Sequence, residues 1–108
     1  MTVQELAGAL RLESIAVPDG GRAVTGGYAG DLLSWVMGRA QRGDAWATIM
    51  SNRNIVAVAA LAEVSCIILA EGVRPDEGVA ELARERSVNL LGSDRSVYGL
   101  CGELHALL

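Results

Sequence analysis

The chain of 108 residues is 51% apolar and 20% charged, with a formal net charge of −4, and it predicts a single domain over residues 1–108. The acidic balance excludes nucleic-acid binding, which needs a basic stripe, and two cysteines with one histidine are too few ligands for a metal site. Because no apolar run reaches the roughly 20 residues of a membrane span and no signal peptide is recognisable, we expect a cytoplasmic protein with no membrane partner.

Periodicity and turn residues predict a regular alternation of helices and strands. In chain order the predicted elements are a helix over 2–10, strands over 12–17 and 22–26, a helix over 32–41, a strand over 45–50, a helix over 53–63, a strand over 65–70, a helix over 77–86, a strand over 88–91 and a helix over 96–108. From residue 44 onward strands and helices alternate strictly, which requires parallel strands joined by right-handed crossovers. The predicted fold is α/β, a three-layer α/β/α sandwich with a mainly parallel central sheet and a hairpin-like N-terminal piece.

Polar residues and one proline are expected where helices begin. Thr2 and Glu5 match a capping box at the first helix. Asp31 is the predicted cap of the helix over 32–41, and Pro75 is expected at the start of the helix that follows it. The other candidate N-caps are Ser51, Asn52, Asn54 and Ser96.

The helix predicted over 53–63 is apolar on nearly every side from Ile55 to Ala62. A helix that is apolar all round is buried all round. In a domain of this size one face should meet the sheet and another a second copy, so the sequence predicts a homodimer. The predicted interface residues are Ile55, Val56, Val58, Ala59 and Trp35. Trp46, inside a predicted strand, is expected in the core.

The residues that carry chemistry in enzymes are few. Cys66 and Cys101 lie in apolar surroundings, which predicts buried free thiols in a reducing compartment; a disulfide is the alternative. His105 is the only histidine and is expected at the surface. The carboxylates at positions 76, 77, 81 and 85 follow one helix, where a solvated face is the simpler interpretation than an acid/base pair.

A glycine-rich stretch, GRAVTGGYAG over 21–30, precedes a predicted helix, an arrangement that holds phosphate in many proteins. It departs from the P-loop pattern because Gly27 and Tyr28 stand where lysine and a serine or threonine belong, and the chain contains no lysine. The dinucleotide pattern G-x-G-x-x-G is also missing from this stretch. These observations predict that the chain is not an enzyme and needs no cofactor.

Four short segments, in this order and spacing, resemble the DRTGG-domain family, and the chain is also similar to the N-terminal, non-catalytic domain of HPr kinase/phosphorylase. The segments are RAVTGGYAGDLLS (22–34), TIMSNRNIVAVAAL (48–61), IILAEGVRPDE (67–77) and VNLL (88–91). DRTGG domains also stand beside the CBS pair of some regulatory pyrophosphatases. The resemblance covers about residues 1–105 and implies a three-layer α/β domain that dimerises and serves regulation, without an established catalytic activity.

Matched position by position, Val24–Gly27 corresponds to the glycine turn of the family, and Asn52–Asn54 to its polar-Arg-polar helix opening. Ala70–Gly72 departs from the usual Thr-Gly-Gly, because Glu71 places a negative charge in that loop. This departure weakens a phosphate-binding interpretation of the loop.

Three polar loops, 25–27, 51–53 and 71–74, each follow a predicted strand. Because the carboxyl ends of parallel strands meet at one edge of a sheet, the loops are expected to gather there, where Arg53 would add its charge to a helix dipole. The predicted ligand-binding residues are Thr25, Gly26, Gly27, Ser51, Asn52, Arg53 and Gly72. The alternative is structural: glycines with positive φ, an Asn52 cap, and Arg53 paired with Asp31 or Glu71.

Two functions therefore stay open at the level of sequence. The favoured one is a non-catalytic regulatory or protein-interaction module that acts as a homodimer, with a regulatory protein as a further partner. The alternative is a sensor that binds a small anionic ligand, such as a nucleotide, at the edge formed by the three loops.

Overall fold

The computed structural model describes all 108 residues. In chain order the elements are α1 (Val3–Ala9), β1 (Glu13–Ala16), β2 (Gly26–Ala29), α2 (Leu33–Arg39), β3 (Asp44–Thr48), α3 (Asn54–Ala62), β4 (Cys66–Leu69), α4 (Val79–Glu85), β5 (Leu90–Gly92) and α5 (Val97–Leu107). The strands form one sheet in the order β1-β5-β4-β3-β2, in which β1 runs antiparallel to β5 and the other four strands are parallel. The predicted α/β class and mainly parallel sheet are confirmed.

Two buried clusters lie on opposite faces of the sheet. One joins α1 and α5 to strand residues such as Ala45 and Ile68, and the other joins α2, α3 and α4 to residues such as Trp46 and Ile67. Neighbouring residues of one strand enter different clusters because successive side chains point to opposite faces. The molecule therefore has three layers, with all three crossover helices on the same face.

β4 is the central strand, as its continuous apolar run predicts for a strand covered on both faces. All of its residues are buried, including Cys66, and burial raises the pKa of this thiol to about 12. Cys101, on α5, is half-buried, and its pKa is also raised by burial. Both thiols are free.

The second predicted strand is misplaced. It was expected over 22–26, but β2 begins at Gly26, and the only strand-like pairing before it is an isolated antiparallel bridge between Thr2 and Ala23. β2 is placed by its parallel pairing with β3, in register from Gly26 opposite Asp44. The expected N-terminal hairpin is also wrong, because β1 and β2 lie at opposite edges of the sheet.

The helix starts follow the predictions in part. The capping box of α1 is present, with mutual hydrogen bonds between Thr2 and Glu5, and the Ser96 hydroxyl accepts a bond from the Gly99 N–H at α5. Asp31 does not cap α2, because its carboxylate accepts bonds from β3 instead. Pro75 precedes the first residue of α4 by four positions, so it does not begin that helix.

The predicted dimer residues of α3 lie inside the single chain. Ile55, Val56, Val58 and Ala59 are at most 9% exposed, and they pack with Trp46 and the strands of the same chain. The flanking helices α2 and α4 pack against α3, which leaves Leu61 as its large exposed apolar side chain. Interface roles for these four residues are therefore wrong, whereas the core position of Trp46 is confirmed. No helix has both the length and the apolar character needed to cross a membrane.

Candidate functional site

The three loops predicted to gather at one edge are divided between the two ends of the sheet. Loops 51–53 and 71–74 follow β3 and β4 and lie together at the carboxyl ends of the parallel strands. Residues 25–27 lie at the opposite end, because β2 starts at Gly26 and runs parallel to β3. The single three-loop edge is therefore wrong for Thr25, Gly26 and Gly27.

The side chains of Ser51 and Asn52 in the first of the two remaining loops are already hydrogen-bonded within the chain. The Ser51 hydroxyl donates to the Asp76 carboxylate (2.9 Å), and the Asn52 side-chain oxygen accepts from the Asn54 N–H (2.9 Å). This second bond satisfies a donor at the start of α3, as the structural alternative anticipated.

Arg53 and Gly72 complete the candidate set at this end. Arg53 begins α3 without a side-chain capping bond, is exposed, and makes no ion pair, so the expected pairing with Asp31 or Glu71 does not occur. Gly72 has a positive φ of 71°, which favours glycine in this turn. Among the predicted ligand residues, the Arg53 guanidinium is the charged group free to meet a ligand.

Carboxylates surround this end of the sheet. The Glu71 carboxylate accepts from the Val97 N–H (2.8 Å) at the start of α5, and Glu13 forms an ion pair with Arg74 (2.8 Å). The hydrogen bond from Arg74 lowers the pKa of Glu13, so this carboxylate stays charged into the acid range. The Glu71 carboxylate thus occupies the position beside the start of α5 where an anion would bind, and two of the nearby arginines already pair with acids.

The topology provides no switch-point crevice at the carboxyl ends, where the structure has a small polar pocket of about 90 Å³ beside Gly72, Arg74 and Ser93. In open α/β sheets a ligand crevice forms where successive crossovers turn to opposite faces. Here the strand order runs continuously from β2 to β5, and the connecting helices α2, α3 and α4 all lie on one face. The chain therefore lacks the switch point on which the sequence-based prediction of a crevice depended.

The glycine turn serves close packing rather than an unusual backbone. A Cβ on Gly26 would lie 2.8 Å from the Asp44 Oδ1 atom, and none of the glycines in 20–30 has a positive φ. Asp44 is itself buried and fixed, because its other carboxylate oxygen accepts from the Gln41 N–H (2.7 Å). Glycine at position 26 thus allows β2 to pair closely with β3.

A groove between β2 and α5 was not anticipated from the sequence. It has a volume of about 330 Å³ and lies against Thr25–Ala29 on one side and the last turns of α5 on the other, including Cys101, Leu104, His105 and Leu108. Its size falls at the lower end of small-ligand pockets. The only sequence signals for it are the small residues of β2, which leave room beside the helix.

An exposed apolar surface lies on and beside α2. This α2 surface consists of Leu32, Trp35, Met37 and Ile49, whose side chains are 40–58% exposed. The guanidinium of Arg39 lies 3.6 Å from the centre of the Trp35 ring. Trp35 is the one predicted interface residue that the structure leaves accessible.

The side chains do not assemble a recognisable reaction centre. No group of three His, Cys, Asp or Glu residues is placed to hold a metal ion. His105 lies at the exposed end of α5, and the nearest thiol in the groove, Cys101, is kept neutral because burial raises its pKa. Neither has a carboxylate in the groove to act with it.

Comparison with solved structures finds a similar fold. The CBS and DRTGG domains of the regulatory region of Clostridium perfringens pyrophosphatase, solved in complex with the activator diadenosine tetraphosphate, match with a TM-score of 0.73 and 14% sequence identity. The match covers 95% of this chain and 45% of the solved chain, so this chain spans less than half the length of that structure. No protein-family model and no curated protein sequence matches the chain.

At this level of identity the likeness concerns the fold. It supports a DRTGG-like fold, as the resemblance of the four sequence segments implied. The likeness to the N-terminal domain of HPr kinase/phosphorylase stays a prediction.

Proposed function

We propose that this chain is a non-catalytic regulatory module that works as a homodimer. The observation that carries the proposal is the α2 surface, where Leu32 and Trp35 are 58% and 51% exposed. Leu32 and Trp35 are three positions apart and therefore lie on the same side of the helix start, and neighbouring exposed apolar side chains mark interaction sites more often than isolated ones do. The α2 surface takes the role that the sequence had assigned to α3.

Two further observations support a regulatory role. The solved region with a similar fold is described as the regulatory region of a pyrophosphatase. In addition, the side chains of this chain that could perform chemistry are few and scattered, while its polar loops are occupied by bonds among themselves. A module of this kind acts through the surface it presents to a second protein or a second copy.

Light scattering after size-exclusion chromatography, at micromolar concentration, tests the proposal. The expected mass is twice the 11.3 kDa of one chain. Trp35→Ser should raise the dissociation constant of the dimer at least about tenfold, because exposed tryptophans are frequent hot spots. Tyr98→Ser is the matched control, since Tyr98 is an exposed aromatic residue (91%) on a different helix.

Two results would contradict the proposal. A wild-type mass of 11.3 kDa at all micromolar concentrations would remove the homodimer. A dimer that Trp35→Ser and Tyr98→Ser weaken equally would remove the α2 surface from its interface. Thermal unfolding of each variant confirms that a change in mass does not come from loss of the fold.

A second candidate function is the sensing of a small anionic ligand. What supports it is the free, exposed guanidinium of Arg53 at the start of α3, and the description of the similar solved region as a complex with a dinucleotide activator. The candidate site is reduced to the loops at the carboxyl ends, around Ser51, Asn52, Arg53 and Gly72.

Thermal shift with AMP, ADP, ATP and diadenosine tetraphosphate tests this second function. A ligand at 100 times its dissociation constant stabilises the folded chain by about 2.7 kcal/mol. Arg53→Ala should abolish the shift, whereas Arg86→Ala, which removes an exposed arginine after α4, should leave it unchanged. Equal shifts in both variants, or no shift with any nucleotide, would exclude an Arg53 site for these ligands.

A further inference from the structure

The two edges of the sheet differ in how their outward backbone groups are protected. A bare strand edge is a template for pairing with another chain, and most proteins block it with charges, bulges or covering side chains. β1 and β2 are the two edge strands of this sheet. Only one of them carries such devices.

The β1 edge is blocked in three ways. The pairing of β1 with β5 is irregular between Ser14 and Ala16. The Ile15 carbonyl accepts a bond from the Arg84 guanidinium (3.0 Å), and Glu13 is held in an ion pair with Arg74. A strand from another molecule would have to displace these charged groups.

The β2 edge has none of these features. Its residues are Gly26, Gly27, Tyr28 and Ala29, without a charge, a proline or a break in register with β3. The Gly30 N–H donates to the Ala47 carbonyl of β3 (3.1 Å). Because consecutive residues of a strand direct their backbone groups to alternate sides, Tyr28 also faces β3, while Gly27 and Ala29 direct theirs outward.

We propose that the homodimer forms by antiparallel pairing of β2 with β2 of a second copy, which joins the two sheets into one of ten strands. A two-fold axis at Tyr28 places Gly27 of one copy opposite Ala29 of the other. In this register the outward N–H and C=O groups of both residues form four hydrogen bonds. The same patch serves both copies, as a closed two-fold interface requires. This inference rests on the proposed homodimer and identifies its contact surface.

The layers on either side of β2 can supply the remaining area. A four-residue ladder is too small by itself, since stable interfaces bury on the order of 1,200–2,000 Å². α2 is the outermost helix of its layer at the β2 end, and it carries the α2 surface. On the other face, the last turn of α5 borders β2 and exposes Leu107 and Leu108, each by more than 40%. Apolar side chains therefore flank the bare edge on both faces.

Disulfide trapping tests the register. In a Cys101→Ala background, Tyr28→Cys would place two thiols on a pair of residues with Cα atoms about 4.5 Å apart, within the range of a disulfide. We expect a covalent dimer after mild oxidation with oxidised glutathione. Cys66 stays unreactive because it is buried, with a pKa of about 12. The matched control is Ser14→Cys, which places an exposed thiol on the blocked edge and should give no covalent dimer.

A proline variant tests the same edge without new thiols. Ala29→Pro removes an N–H that points away from β3, so it should shift the mass from dimer to monomer while the chain stays folded. Near-ultraviolet circular dichroism of the buried Trp46 checks the fold.

The outcomes separate the two proposals. The edge pairing is supported if Tyr28→Cys forms a covalent dimer, Ser14→Cys forms none, and the Ala29→Pro variant is a folded monomer. A wild-type dimer without trapping at position 28 would overturn the edge pairing and leave the homodimer standing. A monomeric wild-type protein would overturn both.

Discussion

The two ends of the parallel strands differ in how they use polar groups. At the amino ends, polar side chains are buried and bonded across the chain: Asn89 is 1% exposed and joins the Asp19 backbone to the Ser65 carbonyl. At the carboxyl ends Thr48 and Ser93 are also buried, but the polar side chains of the loops are more exposed and bond within neighbouring loops, as Ser51 does with Asp76. Glycines at the amino ends allow strands to pack, so a glycine-rich sequence is not by itself a sign of a ligand site.

The largest expected effect comes from the buried amide at the amino ends. Asn89 donates to the Asp19 carbonyl (2.8 Å) and the Ser65 carbonyl (2.9 Å), and accepts from the Asp19 N–H (3.0 Å). Asn89→Ala leaves these backbone groups without partners and should lower the free energy of unfolding by about 2–4 kcal/mol. Urea denaturation of the variant and of the wild type measures this change in the free energy of unfolding.

The exposed Asn54→Ala is the control for that substitution, and its expected effect is small, since the Asn54 side chain contributes no hydrogen bond. Equal losses in the two variants would show that the amino ends are not held by the buried amide.

A pair of glycine substitutions sharpens the comparison within a single strand. Gly26→Ala brings a Cβ to 2.8 Å from the fixed Asp44 carboxylate and should destabilise the chain by about 1–3 kcal/mol. Gly27→Ala meets its nearest neighbour, the Ala45 carbonyl oxygen, at an ordinary 3.6 Å and should change stability little. Chemical denaturation of both variants decides whether packing explains the glycine turn; a tolerated alanine at position 26 would refute that explanation.

The smallest effect is expected at the exposed carboxyl ends. The hydrogen bond from Arg74 lowers the pKa of Glu13 below the 4.5 of a free glutamate. A lowered folded-state pKa means that the ion pair stabilises the chain above pH 4.5 and that this contribution disappears as the pH falls through the folded-state value. The stability of Glu13→Gln should therefore fall slightly below that of the wild type at pH 7 and converge with it once the pH is below the folded-state pKa of Glu13.

The control for the pH experiment is Glu77→Gln, which removes an exposed carboxylate that makes no ion pair. Because the Glu13 side chain is 54% exposed, added salt should reduce the difference at pH 7. A difference between Glu13→Gln and the wild type that grows below pH 4 would contradict the assigned cause.

Much of the fold could be predicted, because its signals are local. The capping box at Thr2 and Glu5, the apolar run of β4 and the alternation after residue 44 each correctly predicted an element or the parallel sheet. The position of β2 could not be predicted in this way. Its four residues have no apolar alternation, and the strand forms where β3 offers a partner.

The candidate site was predicted less well, because it depends on which strand ends meet. Arg53 was correctly placed at the start of a helix, but Thr25–Gly27 were assigned to the wrong end once the second strand was set four residues too early. The predicted interface role of the α3 residues was wrong for a different reason. An apolar helix can be buried largely by its own chain: α2 and α4 pack against α3, and Leu61 is the large apolar side chain that α3 leaves exposed.

The sequence by itself determined the class of fold, the central strand and the shortage of catalytic residues, because each follows from composition or from periodicity within one segment. Only the tertiary structure decided which apolar side chains stay exposed, which strands form the edges, and which loops share an end. These properties depend on long-range register and on which helix covers which face. Residues far apart in the chain determine the register of the strands and the face that each helix covers, so neither property can be read from one short segment.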